Sequence, residues 1–184
     1  RLQPLVGVPS LAVVQRPAHG PWRVMLQHRN KLTKAVVQLA QKGRVHSIHY
    51  GRDNDKPLGR TLLAASVARR VIPVLLGEGC SLLEFSLLGV ELNSTWAAAL
   101  GEQAVCSAVL LRLYLFQCGL QGPLPKLRLP ALQCLDLSFN QLTGGLEPLS
   151  ACTSLESLSL FHNRLTGGLE PLRGCTALEK LFLT

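Results

Sequence analysis

The chain has 184 residues, 47% of them hydrophobic and 16% charged, with a formal net charge of +8. That length can bury a core or build several coils of a repeat protein, and without an uncharged apolar run of roughly 18 residues no membrane span is expected within it. The charge is uneven: residues 1–80 hold 13 Lys/Arg against 3 Asp/Glu, and residues 81–184 hold 6 against 8. The basic residues are scattered and not interleaved with aromatics, which reads as a solvated face and argues against a nucleic-acid partner.

Residues 1–21 carry Pro4, Pro9, Pro17 and Pro21, a density that prevents a long helix and predicts an irregular lead-in. Residues 22–81 read as a mainly helical, degenerate-repeat region. Leu32, Ala35, Val36 and Leu39 fall at i, i+3, i+4 and i+7 on one apolar face. A second helix is predicted over Thr61–Ala68, with turn chemistry from Arg52 to Gly59 between the two and Pro73 expected to kink or end what runs into it.

A solenoid is expected from Leu82 onward. The octapeptide Leu142-Thr143-Gly144-Gly145-Leu146-Glu147-Pro148-Leu149 recurs without change at Leu165–Leu172, an offset of 23 residues. A fixed period of that size is the signature of stacked coils. Against the template L-x-x-L-x-L-x-x-N/C-x-L, Leu82, Phe85, Leu87, Val90 and Leu92 fit loosely. Leu110, Leu113, Leu115, Cys118 and Leu120 fit better. Leu132, Leu135, Leu137, Asn140 and Leu142 fit fully, as do Leu155, Leu158, Leu160, Asn163 and Leu165. Coil lengths are 28, 22, 23 and 23, counting on to the start at Leu178. Asn93-Ser94-Thr95 is expected to cap a helix from Trp96 to about Val105; as a glycosylation sequon it would matter only in a secreted chain.

On these residues, 110–184 resemble the leucine-rich repeat family, with a weaker long coil from 82. Leu137–Gly144 is similar to the plant-type subclass found in receptor ectodomains, although Glu147 and Glu170 stand where that subclass continues directly to proline. The resemblance implies an α/β leucine-rich repeat solenoid over 82–184, with short parallel strands on the concave face and helical or turn segments on the convex face. For residues 22–80 two readings stay open. The pieces from Val36 to Gly43, around Asp53 and Gly59–Leu62, and from Val71 to Gly79 resemble a worn ankyrin repeat. Alternatively Val45, Ile48 and Tyr50 form a strand of a long leucine-rich coil returning through the Thr61 helix.

Chemistry-bearing residues are few. Gly77-Glu78-Gly79 lacks the third glycine of a dinucleotide loop. His46 and His49 fall on opposite faces of a strand. There is no C-x-x-C pair among the six cysteines. Neither a cofactor nor a metal is predicted, nor catalysis. Cys152 and Cys175 lie 23 apart and should stack as small buried residues, which favours a reducing, cytoplasmic setting. The plasma membrane is the alternative if flanking sequence carries a signal peptide and a transmembrane helix.

The chain starts at Arg1 and ends inside a further repeat, so it reads as a fragment. Leu178, Leu181 and Leu183 are expected to form an exposed apolar edge prone to self-association. The oligomeric state is left open. The expected function is a protein-interaction module that binds a protein or peptide on its concave strand face, or else the ligand-binding piece of a membrane receptor. The outward columns are Arg112, Cys134, Ser157 and Lys180; then Tyr114, Asp136, Ser159 and Phe182; then Phe116, Ser138, Phe161 and Thr184. From them Arg112, Tyr114, Phe116, Asp136, Ser159, Phe161, Lys180 and Phe182 are the candidate binding residues, because aromatics and arginine are the usual energetic anchors of interfaces.

Overall fold

The computed structural model of the chain describes residues 13–15, 22–26, 45–51, 72–76, 80–90, 92 and 105–183. Among these, eight strands form one sheet in the order β1 (Val13–Gln15), β2 (Trp22–Leu26), β3 (Val45–Gly51), β4 (Glu84–Leu88), β6 (Arg112–Phe116), β9 (Cys134–Asp136), β11 (Ser157–Ser159) and β13 (Lys180–Phe182). Every pair after β1–β2 is parallel. Two smaller parallel sheets accompany it. One joins β7 (Gln121–Pro123), β10 (Gln141–Gly144) and β12 (Arg164–Leu165); the other joins β5 (Val105–Cys106) and β8 (Leu127–Arg128).

The register explains why the leucines recur where they do. Phe85, Leu113, Leu135, Leu158 and Leu181 are successive strand partners, so one inward side chain from each coil stacks on the last. Alternation along each strand turns the flanking residues outward. From the Leu82 coil to Leu160 every leucine or phenylalanine of the template is at most 5% exposed, and Ile48 of β3 joins the same core. Dehydration of this continuous apolar stack is the main stabilising term.

Beyond the strand, each coil turns at its asparagine slot. Asn140 is buried, and its Oδ1 accepts the N–H groups of Cys118 at 3.1 Å and Leu120 at 3.0 Å. Its Nδ2 donates to the carbonyls of Leu115 and Leu137, both at 2.8 Å. Asn163 repeats this one coil later on Leu142, Leu137 and Leu160. Cys118 fills the slot before Asn140 and has no side-chain carbonyl to offer; its thiol reaches the Leu87 and Phe116 carbonyls at 3.3 and 3.4 Å. The Leu92 N–H is bonded by the Cys118 backbone carbonyl instead, at 2.8 Å.

The identical octapeptides close the coils identically. Gly144 and Gly167 take positive φ, and the 3-10 turns Glu147–Leu149 and Glu170–Leu172 follow, each with proline in its first turn where no donor is required. Only the first glycine of each pair is in the left-handed region; Gly145 and Gly168 are not. Cys152 and Cys175 then stack as expected, with Cys175 Sγ donating to the Cys152 carbonyl at 3.3 Å.

In the amino-terminal part, where an irregular lead-in followed by helices is expected, the described residues include three strands and a short helical turn. β1 returns antiparallel along β2, and β2 and β3 extend the parallel sheet. Valine-rich and aromatic text favours strands, while the prolines that argued for irregularity at 17 and 21 fall between β1 and β2. Placement of β3 beside β4 follows the leucine-rich alternative for this stretch. The predicted helices at 32–40 and 61–68 lie outside the described residues, as do the proposed cap at 93–95 and the helix from Trp96 to about Val105, except that Val105 itself begins β5. Pro73 sits within a helical turn at 72–75, accommodated there with Leu76 N–H bonded to the Ile72 carbonyl at 2.9 Å.

Candidate binding face

The outward columns stand in the expected register. Arg112, Cys134, Ser157 and Lys180 are strand partners in one row, and Tyr114, Asp136, Ser159 and Phe182 in the next. The rows continue onto β4 through Glu84 and Ser86. Glu84 is nearly buried and lies 3.7 Å from His49 Nε2 and 3.9 Å from Arg112 Nη1, a charge-balanced group across three strands. Arg112 is therefore exposed but already occupied by an acid. Tyr114 is half-buried beside Cys134, and its phenol is pushed above its ordinary value, first by burial and then by Cys134 and Glu84.

Asp136 turns toward its own strand's end: Oδ1 accepts the Ser138 N–H at 2.9 Å. Ser138 itself is 2% exposed, so the third column does not present it, and its Oγ meets Ser159 Oγ at 2.7 Å. Ser159 is thus engaged within the face. Lys180 is exposed, and Phe182 is 56% exposed at the last strand. Thr184 lies outside the described residues.

Phe116 and Phe161 are brought together through a residue absent from the expected set. Phe139 packs edge-on against Phe116, with centroids 5.0 Å apart, and against Phe161 at 4.8 Å. His162 adds a fourth ring, 4.5 Å from Phe139 and 4.2 Å from Phe161. The row exists because of a backbone feature shared by the coils. The residue before each asparagine slot (Gly89, Gln117, Phe139, His162) has φ between 52° and 64°. In the first three its N–H is held by the next coil, as with Phe139 N–H on the Phe161 carbonyl at 2.9 Å. Left-handed backbone costs a phenylalanine roughly 1–2 kcal/mol, yet Phe139 is 39% exposed. It is held there by the coil contacts and leaves part of its ring in solvent.

Off this face, a cleft of about 510 Å³ is lined by Cys80, Ser81, Cys106, Val109, Arg128 and Pro130, residues that precede strands β4, β6 and β9 in the chain. The six cysteines are free thiols. Among the described residues no three His, Cys, Asp or Glu side chains are grouped to hold a metal ion, and no helix is long and apolar enough to cross a membrane.

Comparison with known proteins bears on the same coils. A model for leucine-rich repeats in two copies matches residues 130–173. A search of curated proteins gives no match. Among solved structures the chain is similar to one in the crystal structure of PEPR1–AtPEP1, at 19% identity and a TM-score of 0.45. That alignment covers 76% of this chain and 17% of the other, so the chain spans under a fifth of its length. The matched residues are the coils that Asn140 and Asn163 close, and over them the chain carries leucine-rich repeats.

Proposed function

We propose that the chain is a non-catalytic protein-interaction module whose strand face binds a protein or peptide. One observation carries this reading. Inward positions repeat the same residue type coil after coil, while the outward rows change from Arg to Cys to Ser to Lys and from Tyr to Asp to Ser to Phe. The outward rows also culminate in a partly exposed aromatic ridge that the core does not require. Extended strand faces of solenoids are the surfaces such proteins use for partners.

The test is selection of binders from a displayed random-peptide library, followed by affinity measurement on variants. Tyr114→Ala and Phe182→Ala each weaken the selected peptides by about 1–2 kcal/mol or more, and Arg173→Ala on the turn side leaves them unchanged. Loss of binding in Arg173→Ala with full binding in the other two places the interface on the wrong side.

A further inference from the structure

The acidic residues of the strand face differ in how they are satisfied. Glu84 sits between His49 and Arg112. Asp136, three coils from β3, makes no ion pair among the described residues, and its one described bond is from the Ser138 N–H to Oδ1. Asp136 is the strand partner of Tyr114 and Ser159, which Phe116 and Phe161 follow by two residues, so the bond to the Ser138 N–H turns the carboxylate toward the end of the face that carries the aromatic ridge. The result is a half-buried anion on the strand face, in the row next to the one that holds Phe116 and Phe161. Burying such a charge further without a cation is costly, so whatever covers this face must either leave Asp136 wet or bring a positive group.

We propose that the partner brings an arginine, paired with the Asp136 carboxylate and laid against the Phe116–Phe139–Phe161 ridge. A guanidinium suits this place because it is planar, stacks on aromatic faces and pairs with carboxylate in two-pronged geometry; a lysine ammonium has only the charge. The charge balance of this half agrees: although the whole chain is +8, residues 81–184 carry 8 acidic against 6 basic side chains, and two of these acids, Glu156 and Glu179, are exposed at the opposite ends of neighbouring strands. The inference rests on the strand-face reading above and specifies the chemistry of the partner.

The experiment uses fluorescein-labelled nonapeptide mixtures that are random except for a fixed central arginine, citrulline or glutamate, titrated with the whole chain and read by anisotropy. Citrulline keeps the shape of arginine without its charge. The arginine mixture is expected to bind about tenfold more tightly than the citrulline mixture, and the advantage shrinks as salt screens it. Asp136→Asn keeps an oxygen for the Ser138 N–H and removes the charge, so it should erase the difference without unfolding the coil. Glu156→Gln should leave it intact. An arginine preference that survives Asp136→Asn, or the absence of any preference, overturns the inference. If in that case all mixtures bind and Tyr114→Ala weakens them alike, the strand-face reading stands without it; if no mixture binds, both fall.

Discussion

The Asn140 side chain holds the main chain of the preceding coil: its Oδ1 accepts the Leu120 N–H at 3.0 Å, across 20 residues of sequence. With the bonds to Cys118, Leu115 and Leu137, one buried amide satisfies two donors and two acceptors that the turn leaves unpaired. Asn140→Ala strands these groups and should cost about 3 kcal/mol or more in chemical denaturation. Asn140→Asp should be nearly as costly, since a carboxylate cannot donate to the carbonyls. Asn163 makes similar bonds but is only half-buried, so water can replace part of its role and Asn163→Ala should cost less. Equal losses at the two sites mean that burial is not what gives Asn140 its weight.

The asparagines and leucines were legible because a chain that stacks coil on coil must repeat its inward residues at a fixed period. Where the period lengthens, legibility fails. Ile48 and Phe85 are strand partners 37 residues apart, a spacing that no template recurrence reveals, and β1 pairs antiparallel outside the repeat altogether. The outward rows could be read from strand alternation. Phe139 could not, because it lies beyond β9 and reaches the face only through a left-handed turn that parity does not describe. One signal was available: Phe139 and His162 occupy the same slot, one residue before the asparagine, in consecutive coils. Nor does spacing show that Arg112 is already matched by Glu84 while Asp136 has no cation among the described residues.

That slot gives the second prediction. Gly89 occupies it in an earlier coil without strain, whereas Phe139 takes φ of 57°. Phe139→Gly relieves roughly 1–2 kcal/mol of backbone cost and gives up two edge-on ring contacts worth about 0.5–1.5 kcal/mol each, so its thermal midpoint should move little. Phe139→Ala loses the rings and keeps the strain. It should therefore melt below Phe139→Gly, the reverse of the usual order for these two residues, while both lose affinity for peptides selected on the strand face. If alanine is the more stable replacement, the left-handed backbone is not maintained in solution. Phe161→Ala also removes a ring from the row and should lower the midpoint as well as the affinity, whereas Tyr114→Ala should act mainly on affinity.

The buried thiols set an alkaline limit. Burial pushes Cys118 from the ordinary 9.0 up to about 12 and Cys152 up to about 11, and raises Cys175 as well. Because the folded values lie above the unfolded one, the folded state holds these protons more tightly. Their contribution is fully present below pH 9 and is lost as pH rises toward 11–12. Denaturation midpoints should fall over that window, and Cys118→Ala should flatten the fall whatever it does to stability at pH 7. An unchanged slope excludes Cys118 as the titrating group. At pH 8, iodoacetamide should modify the partly exposed Cys134 and Cys106 well before Cys118, Cys152 or Cys175; rapid labelling of Cys152 in the native chain contradicts its burial.

The two glycines of each octapeptide look equivalent in sequence but differ in what they must do. Gly144 and Gly167 have φ of 81° and 90°, a region that alanine enters at a cost of roughly 1 kcal/mol or more. Nothing comparable constrains Gly145 and Gly168. A Cβ there meets the Glu147 or Glu170 carboxylate, the far end of a flexible, exposed side chain that can swing into solvent. Gly144→Ala should therefore destabilise the chain. Gly145→Ala should be neutral or slightly stabilising, because it restricts the unfolded chain, and Gly167 and Gly168 should repeat the contrast. Urea denaturation of the four single variants reads the order directly. If Gly145→Ala proves as costly as Gly144→Ala, and Glu147→Ala restores it, the carboxylate is fixed over the turn and the second glycine is kept to make room for it.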